Sequence, residues 1–290
     1  MTRAKPHKRS RPPRVIVTER DLELFKAVYQ HGVMTRTNIQ DYLGWDCVSD
    51  VNRRLRKLFD AGYLDRRFLP RTFGPTPAVY LIGNEGVKLL VESTKAAANI
   101  ISRRRYRFRN MSDNLLPHEL LITDFVCLLK SSFRRYPKCG LLDWKSDDEI
   151  IGQCNVIEGG ADIELKPDAY GSYNLHKTLF NFFLEADLGT EPISRIQKKV
   201  ELYRSFKASG LFNRAFDRKA FRLFIVTNSD TRARNISRSL PIVSDLRIFI
   251  SCIEAIRVDP IFAPIWLMAG DSTARPLHLA AELDPVGGAV

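Results

Sequence analysis

Apolar positions change period along this chain, and the changes mark its elements. Leu22, Phe25, Val28 and Tyr29 recur at helical spacing behind Thr18, a helix-opening residue with Asp21 three positions on. His31-Gly32 closes that helix, and Thr35 or Thr37 opens a short second one through Tyr42. Ser49 opens a third helix, with Val51, Leu55, Leu58 and Phe59 as its inner stripe. The period then shortens. Residues 63–68 and 78–82 read as strands around a turn-rich 69–77, a hairpin with a proline-containing tip. Residues 84–92 predict one more helix. Residues 94–113 read as a basic linker or extended basic strand, where Arg103 to Arg109 interleave with Tyr106 and Phe108. That mixture suits unpaired bases and backbone, or a solvated hinge.

The second half is richer in strands. Residues 117–136 predict a helix with proline in its first turn. Residues 141–144 start a strand, and 145–160 read as acidic and irregular. Strands follow at 161–169 and 177–187, joined through Tyr170-Gly171-Ser172. A basic helix at 193–209, a buried strand at 221–227, a helix from Ser229 to Leu240 and a strand at 246–256 complete the order. This is an α/β pattern with a mixed sheet. The expected organisation is a basic arm at 1–14, a first domain at 15–93, the linker at 94–113, a second domain at 114–268 and a tail at 269–290.

Net charge is +12, and it is unevenly placed. Residues 1–113 carry 23 Lys/Arg against 11 Asp/Glu, whereas residues 114–290 carry 22 of each. The whole surplus sits in the first part, the footprint of a polyanion-binding module. Three short helices and a hairpin there make a winged helix-turn-helix. Its third helix would enter the major groove with Asn52, Arg53, Arg54, Arg56 and Lys57, while Arg66, Arg67 and Arg71 on the hairpin reach phosphates. No apolar run is long enough for a membrane span. Five dispersed cysteines argue for reduced thiols in a cytoplasmic protein. No P-loop, G-x-G-x-x-G or H-E-x-x-H motif occurs, which argues against nucleotide hydrolysis, dinucleotide redox chemistry and zinc peptidase chemistry.

The chemistry-bearing residues lie in the neutral half. Pro167-Asp168 precedes Phe182-Phe183-Leu184-Glu185-Ala186-Asp187, which puts three carboxylates at the ends of apolar, strand-like runs. Side chains two apart share a strand face, so Glu185 and Asp187 point the same way. Ionised carboxylates beside buried apolar residues must be solvated, paired or cation-bound. Hard oxygens suit Mg²⁺ or Mn²⁺. The same residues also fit a turn opener and a solvated strand end.

This order, with Asp168 on one strand and Glu185-x-Asp187 on the next, resembles the restriction-endonuclease-like PD-(D/E)xK core. The resemblance implies metal-dependent phosphodiester hydrolysis assisted by a lysine. Here Asp187 stands at the lysine's usual position, so the ammonium is expected from the following helix, with Lys199 preferred over Lys198 because it shares a face with Tyr203. The resemblance also makes Glu119, on the helix before the sheet, a secondary site acid. From Val15 to Met268 the chain resembles the replication-relaxation family, which includes the MobC class of plasmid relaxases. The likeness rests on Thr18-Glu19-Arg20-Asp21, Arg53 to Leu64, Pro117-His118-Glu119-Leu120, Phe183 to Glu191, and the late Asp259-Pro260 and Pro264-Ile265-Trp266. It implies origin recognition by the first domain and nicking or melting by the second. Expected partners are double-stranded DNA, single strands at a nick or origin, other plasmid-transfer or replication proteins, and a second copy in a homodimer. The competing expectation is a non-catalytic origin-binding or regulatory protein whose second domain is a decayed nuclease fold used for dimerisation or docking.

Overall fold

The structure is a computed structural model describing residues 7–11, 14–69, 77–94, 98–136, 138–158 and 161–278. The chain divides into two compact units, Met1–Cys127 and Leu128–Val290.

The first unit opens with α1 (Glu19–His31), β1 (Met34–Thr35), α2 (Arg36–Leu43) and α3 (Val48–Asp60), then β2 (Leu64–Phe68) and β3 (Ala78–Ile82). The Asp21 carboxylate accepts from the Thr18 backbone N–H and hydroxyl, both at 2.8 Å, which fixes the start of α1. Thr35 opens α2 by accepting from the Asn38 N–H at 3.2 Å. α3 begins one residue before Ser49, with Cys47 at its cap. β2 and β3 pair antiparallel, and β1 adds on the other side of β3.

After α4 (Asn84–Thr94) comes α5 (Ala98–Asn110), a helix where a linker or extended strand was expected. Its arginine run masks an inner stripe of Ile101, Arg104 and Phe108, all buried. Arg104 donates to the carbonyls of Tyr29 (3.0 Å) and Gln30 (2.6 Å), capping the last turn of α1 with a cation. Phe108 lies against Gly32, where a Cβ would meet the ring at 2.2 Å and φ is +74°, so only glycine fits. Arg105 binds Asp65 (2.7 Å) and the Ile82 carbonyl (3.0 Å). These inward guanidiniums hold α5 to the helices and hairpin.

α6 (Leu116–Phe133) leads into the second unit, which continues as β4 (Cys139–Ser146), α7 (Asp147–Ile150), β5 (Asn155–Glu158), β6 (Ala161–Glu164), β7 (Ala169–Leu175) and β8 (Thr178–Asp187). Then come α8 (Ile193–Ala208), α9 (Leu211–Phe216), β9 (Arg222–Thr227), α10 (Asp230–Ser239), β10 (Arg247–Cys252), α11 (Ile253–Ile256) and β11 (Leu267–Met268). The expected α/β architecture is present: a six-stranded mixed sheet in the order β11-β10-β9-β8-β7-β4. β8, β9 and β10 run parallel, with β7 antiparallel to β8. β5 and β6 form a separate two-stranded ladder in the segment expected to be irregular and then strand.

Central β8 is covered on both faces, which is why its apolar residues are consecutive. Phe183 is ringed by Tyr170, Tyr203, Phe212 and Phe221, with centroids 4.9–5.9 Å away. Phe182 meets Trp144, Tyr173 and Phe224 on the other side. Tyr170-Gly171-Ser172, expected as a connection, is strand interior. Gly171 is there for space and not for a turn, because the Phe182 ring of β8 lies 2.4 Å from where its Cβ would be. Gly171→Ala should therefore destabilise the protein by about 1–3 kcal/mol through overpacking, measured by chemical denaturation. A loss below about 0.5 kcal/mol, the value for an uninvolved surface site, would contradict this packing.

Candidate active site and nucleic-acid interface

The strand alternation that buries Phe183 carries Glu185 and Asp187 onto the face covered by α8. Register brings Asp168 beside them: Ala169 pairs with Leu184, so Asp168 precedes β7 opposite the end of β8. Its backbone N–H donates to the Leu184 carbonyl at 3.2 Å, and its carboxylate accepts from the Ala186 N–H at 2.7 Å. Glu185 is 7% exposed. Lys199 Nζ donates to its Oε2 at 2.5 Å and Tyr203 Oη to its Oε1 at 2.6 Å. Lys199 and Tyr203, four residues apart on α8, reach one carboxylate from one helix face.

The electrostatics follow from burial. Desolvation pushes Glu185 up to about 7; the Lys199 charge opposes that rise and the nearby Asp168 charge adds to it. Burial works against the Lys199 ammonium, but Glu185 and Asp168 outweigh it and hold its amine above the ordinary range. Burial, followed by the charge of Glu185, drives Tyr203 well above 10, so its hydroxyl remains a donor.

Asp187 behaves differently from its two expected partners. It lines the same small recess, about 30 Å³, as Glu185 and Lys199. Its oxygens, however, are engaged by Arg232 of α10, through Nε at 2.6 Å and Nη2 at 3.3 Å, and by the Gly189 N–H at 3.1 Å. Arg232 also donates to the Glu191 carbonyl at 2.6 Å. Among the described residues no group of three or more His, Cys, Asp or Glu side chains is arranged to hold a metal. Of the three expected carboxylates, Asp168 and Glu185 act on one ammonium, Lys199, while Asp187 is held by Arg232. An arginine that no local motif announces has taken up Asp187. Two hard carboxylates still suit Mg²⁺, which binds through one or two of them together with substrate phosphates. Lys198 is exposed, and Lys199 is the lysine at the acids. Glu119 lies in the first unit, 3.5 Å from Arg107.

The candidate nucleic-acid residues of the first unit separate into two groups. Arg54 binds both oxygens of buried Asp21 and the Ile16 carbonyl, and Arg67 donates to Phe108, Met111 and Asp113. Both guanidiniums are spent on the fold. Arg56 is shared between Asp60 (2.9 Å) and the His7 carbonyl (3.2 Å). Asn52, Arg53 and Lys57 remain on the open side of α3, with Arg53 lightly tied to exposed Asp50. Arg66 stacks on Phe59, its guanidinium carbon 4.4 Å from the ring centre. Arg71 lies outside the described residues.

No helix among the described residues is long and apolar enough to cross a membrane. No curated protein matches the chain. Among solved structures, restriction endonuclease FokI is similar at 11% identity and a TM-score of 0.29, over 82% of this chain and 42% of that one. FokI bound to DNA is similar at 10% identity, with the same TM-score, over 82% of this chain and 43% of that one. The chain thus spans less than half the length of either. The replication-relaxation family matches residues 25–218, well over half the sequence. On that match, the chain belongs to the replication-relaxation family.

Proposed function

We propose that this protein is a metal-dependent DNA-nicking enzyme acting at an origin, with a winged-helix first domain that binds duplex and an endonuclease-like second domain. The single observation behind the reading is the convergence of Asp168, Glu185 and Lys199 where β8 emerges from the core. Asp168 and Glu185 would hold Mg²⁺ or Mn²⁺, which supplies Lewis-acid polarisation of a phosphodiester and a more acidic water. Tyr203 fixes the Glu185 carboxylate by donating to one oxygen. Lys199 places an ammonium beside the acids, where it offsets negative charge growing on the phosphoryl oxygens. Asn52, Arg53 and Lys57 would face the groove, with Arg66 on the hairpin.

One observation favours a second reading. Both Glu185 oxygens are already engaged inside a buried pair, as expected of a domain kept for docking or dimerisation. Plasmid nicking separates the two. Asp168→Ala should abolish Mg²⁺- or Mn²⁺-dependent conversion of supercoiled origin plasmid to open circles while duplex binding persists. Lys199→Ala should slow it by about 10²–10³-fold, the cost of losing one preorganised charge donor. Unchanged nicking in Asp168→Ala would remove the assignment.

The elevated Glu185 also makes a pH prediction. Its folded-state value lies above the ordinary 4.5, so its stabilising contribution is complete below 4.5 and is lost as pH rises through about 7. Glu185→Gln, which mimics the protonated form, should gain in Tm over the parent across that window. A constant Tm difference would refute the shift. In duplex-binding titrations, Arg53→Ala or Lys57→Ala should weaken affinity and reduce the salt slope by about 1. A parental slope in both would place the phosphate contacts elsewhere.

A further inference from the structure

The arginine-rich α5 is two-sided. Arg104, Arg105 and Arg107 turn inward, to the carbonyls of Tyr29, Gln30 and Ile82 and to the carboxylates of Asp65 and Glu119. Arg103, Tyr106 and Arg109 turn outward, and all three are exposed. Residues three apart on a helix are separated by about 60° of azimuth and about 4.5 Å of rise, so the three share one face, with Tyr106 between the two arginines. The sequence of the helix contains no acid, and among the described residues neither outward arginine meets a carboxylate. Tyr106 is 71% exposed, and among the described residues its ring makes no aromatic contact. Its sequence neighbour on the inner side, Phe108, is by contrast 3% exposed and part of the core.

We propose that this outer face of α5 binds an unpaired DNA strand, with a base stacked on Tyr106 and flanking phosphates held by Arg103 and Arg109. Stacking needs a base face free of its helical neighbours, which duplex DNA withholds and a single strand offers. Two guanidiniums without local acids favour a polyanion over an apolar or basic partner. The rise between Arg103 and Arg109, about 9 Å, lets the long side chains reach backbone on either side of one stacked base. The surface is separate from α3, so strand form and not sequence is what it discriminates. It is also independent of hydrolysis, since none of its residues belongs to the Asp168–Glu185–Lys199 site.

Fluorescence anisotropy of the full chain in EDTA, with an oligothymidylate of roughly ten nucleotides and a duplex of equal length, tests this directly. Tyr106→Ala should lose about tenfold in affinity for the oligothymidylate, one stacked base, and nothing for the duplex. Tyr106→Trp should keep the single-strand affinity, and its emission should be quenched on binding, since Trp45, Trp144 and Trp266 are all buried. Because binding is read in EDTA, where no hydrolysis occurs, failure of the nicking assignment leaves this result untouched. Parental affinity in Tyr106→Ala, an equal loss on both strand forms, or unquenched Tyr106→Trp emission would overturn the proposal.

Discussion

The second unit is organised around the burial of one carboxylate. Glu185 sits at the end of an apolar strand where water is excluded, and an unpaired charge there would cost several kcal/mol. Lys199 and Tyr203 meet it from a single face of α8. That pairing presents one face of α8 to the sheet, and the β7–β8 ladder separately brings Asp168 opposite the end of β8. Burial raises Glu185 to about 7, and the charges of Glu185 and Asp168 hold the lysine protonated against that same burial. This perturbed carboxyl beside an ammonium is the feature on which the proposed nicking function rests.

Asp187 shows how a second carboxylate on the same strand face is accommodated. A third carboxylate facing Glu185 and Asp168 would add repulsion to an already costly group. The guanidinium of Arg232 engages it in two-point fashion, which ties the end of β8 to the first turn of α10. The pairing makes Asp187 a structural clamp at the end of β8, while Glu185 takes Lys199 as its cation.

Much of this was legible in the sequence. The opening of α1 by Thr18 and Asp21, the inner stripe of α3, the apolar run of β8 and the cap at Ser229 all rest on local chemistry, and each lies where its spacing puts it. Alternation placed Glu185 and Asp187 on one face, and the i, i+4 spacing singled out Lys199. The misreadings came from residues whose role is set by distant partners. Gly171 looked like a turn because nothing nearby reveals that it yields to Phe182. The basic run from Arg103 to Arg109 looked extended because its charges hid the stripe that folds it. Arg54, Arg67 and Arg232 could not be told from solvent-facing cations until Asp21, Asp113 and Asp187 were seen against them. The positive surplus of the first half therefore serves two ends: part of it braces the fold, and part remains on the surface.

The most direct test of the account is calorimetric titration of Mn²⁺ into the full chain near pH 7, in buffers of differing ionisation enthalpy. If Asp168 and Glu185 form the cation site, uptake releases the proton that burial favours on Glu185, and Asp168→Ala shows neither. Absence of Mn²⁺ uptake by the parent, or uptake that Asp168→Ala retains in full, would contradict it.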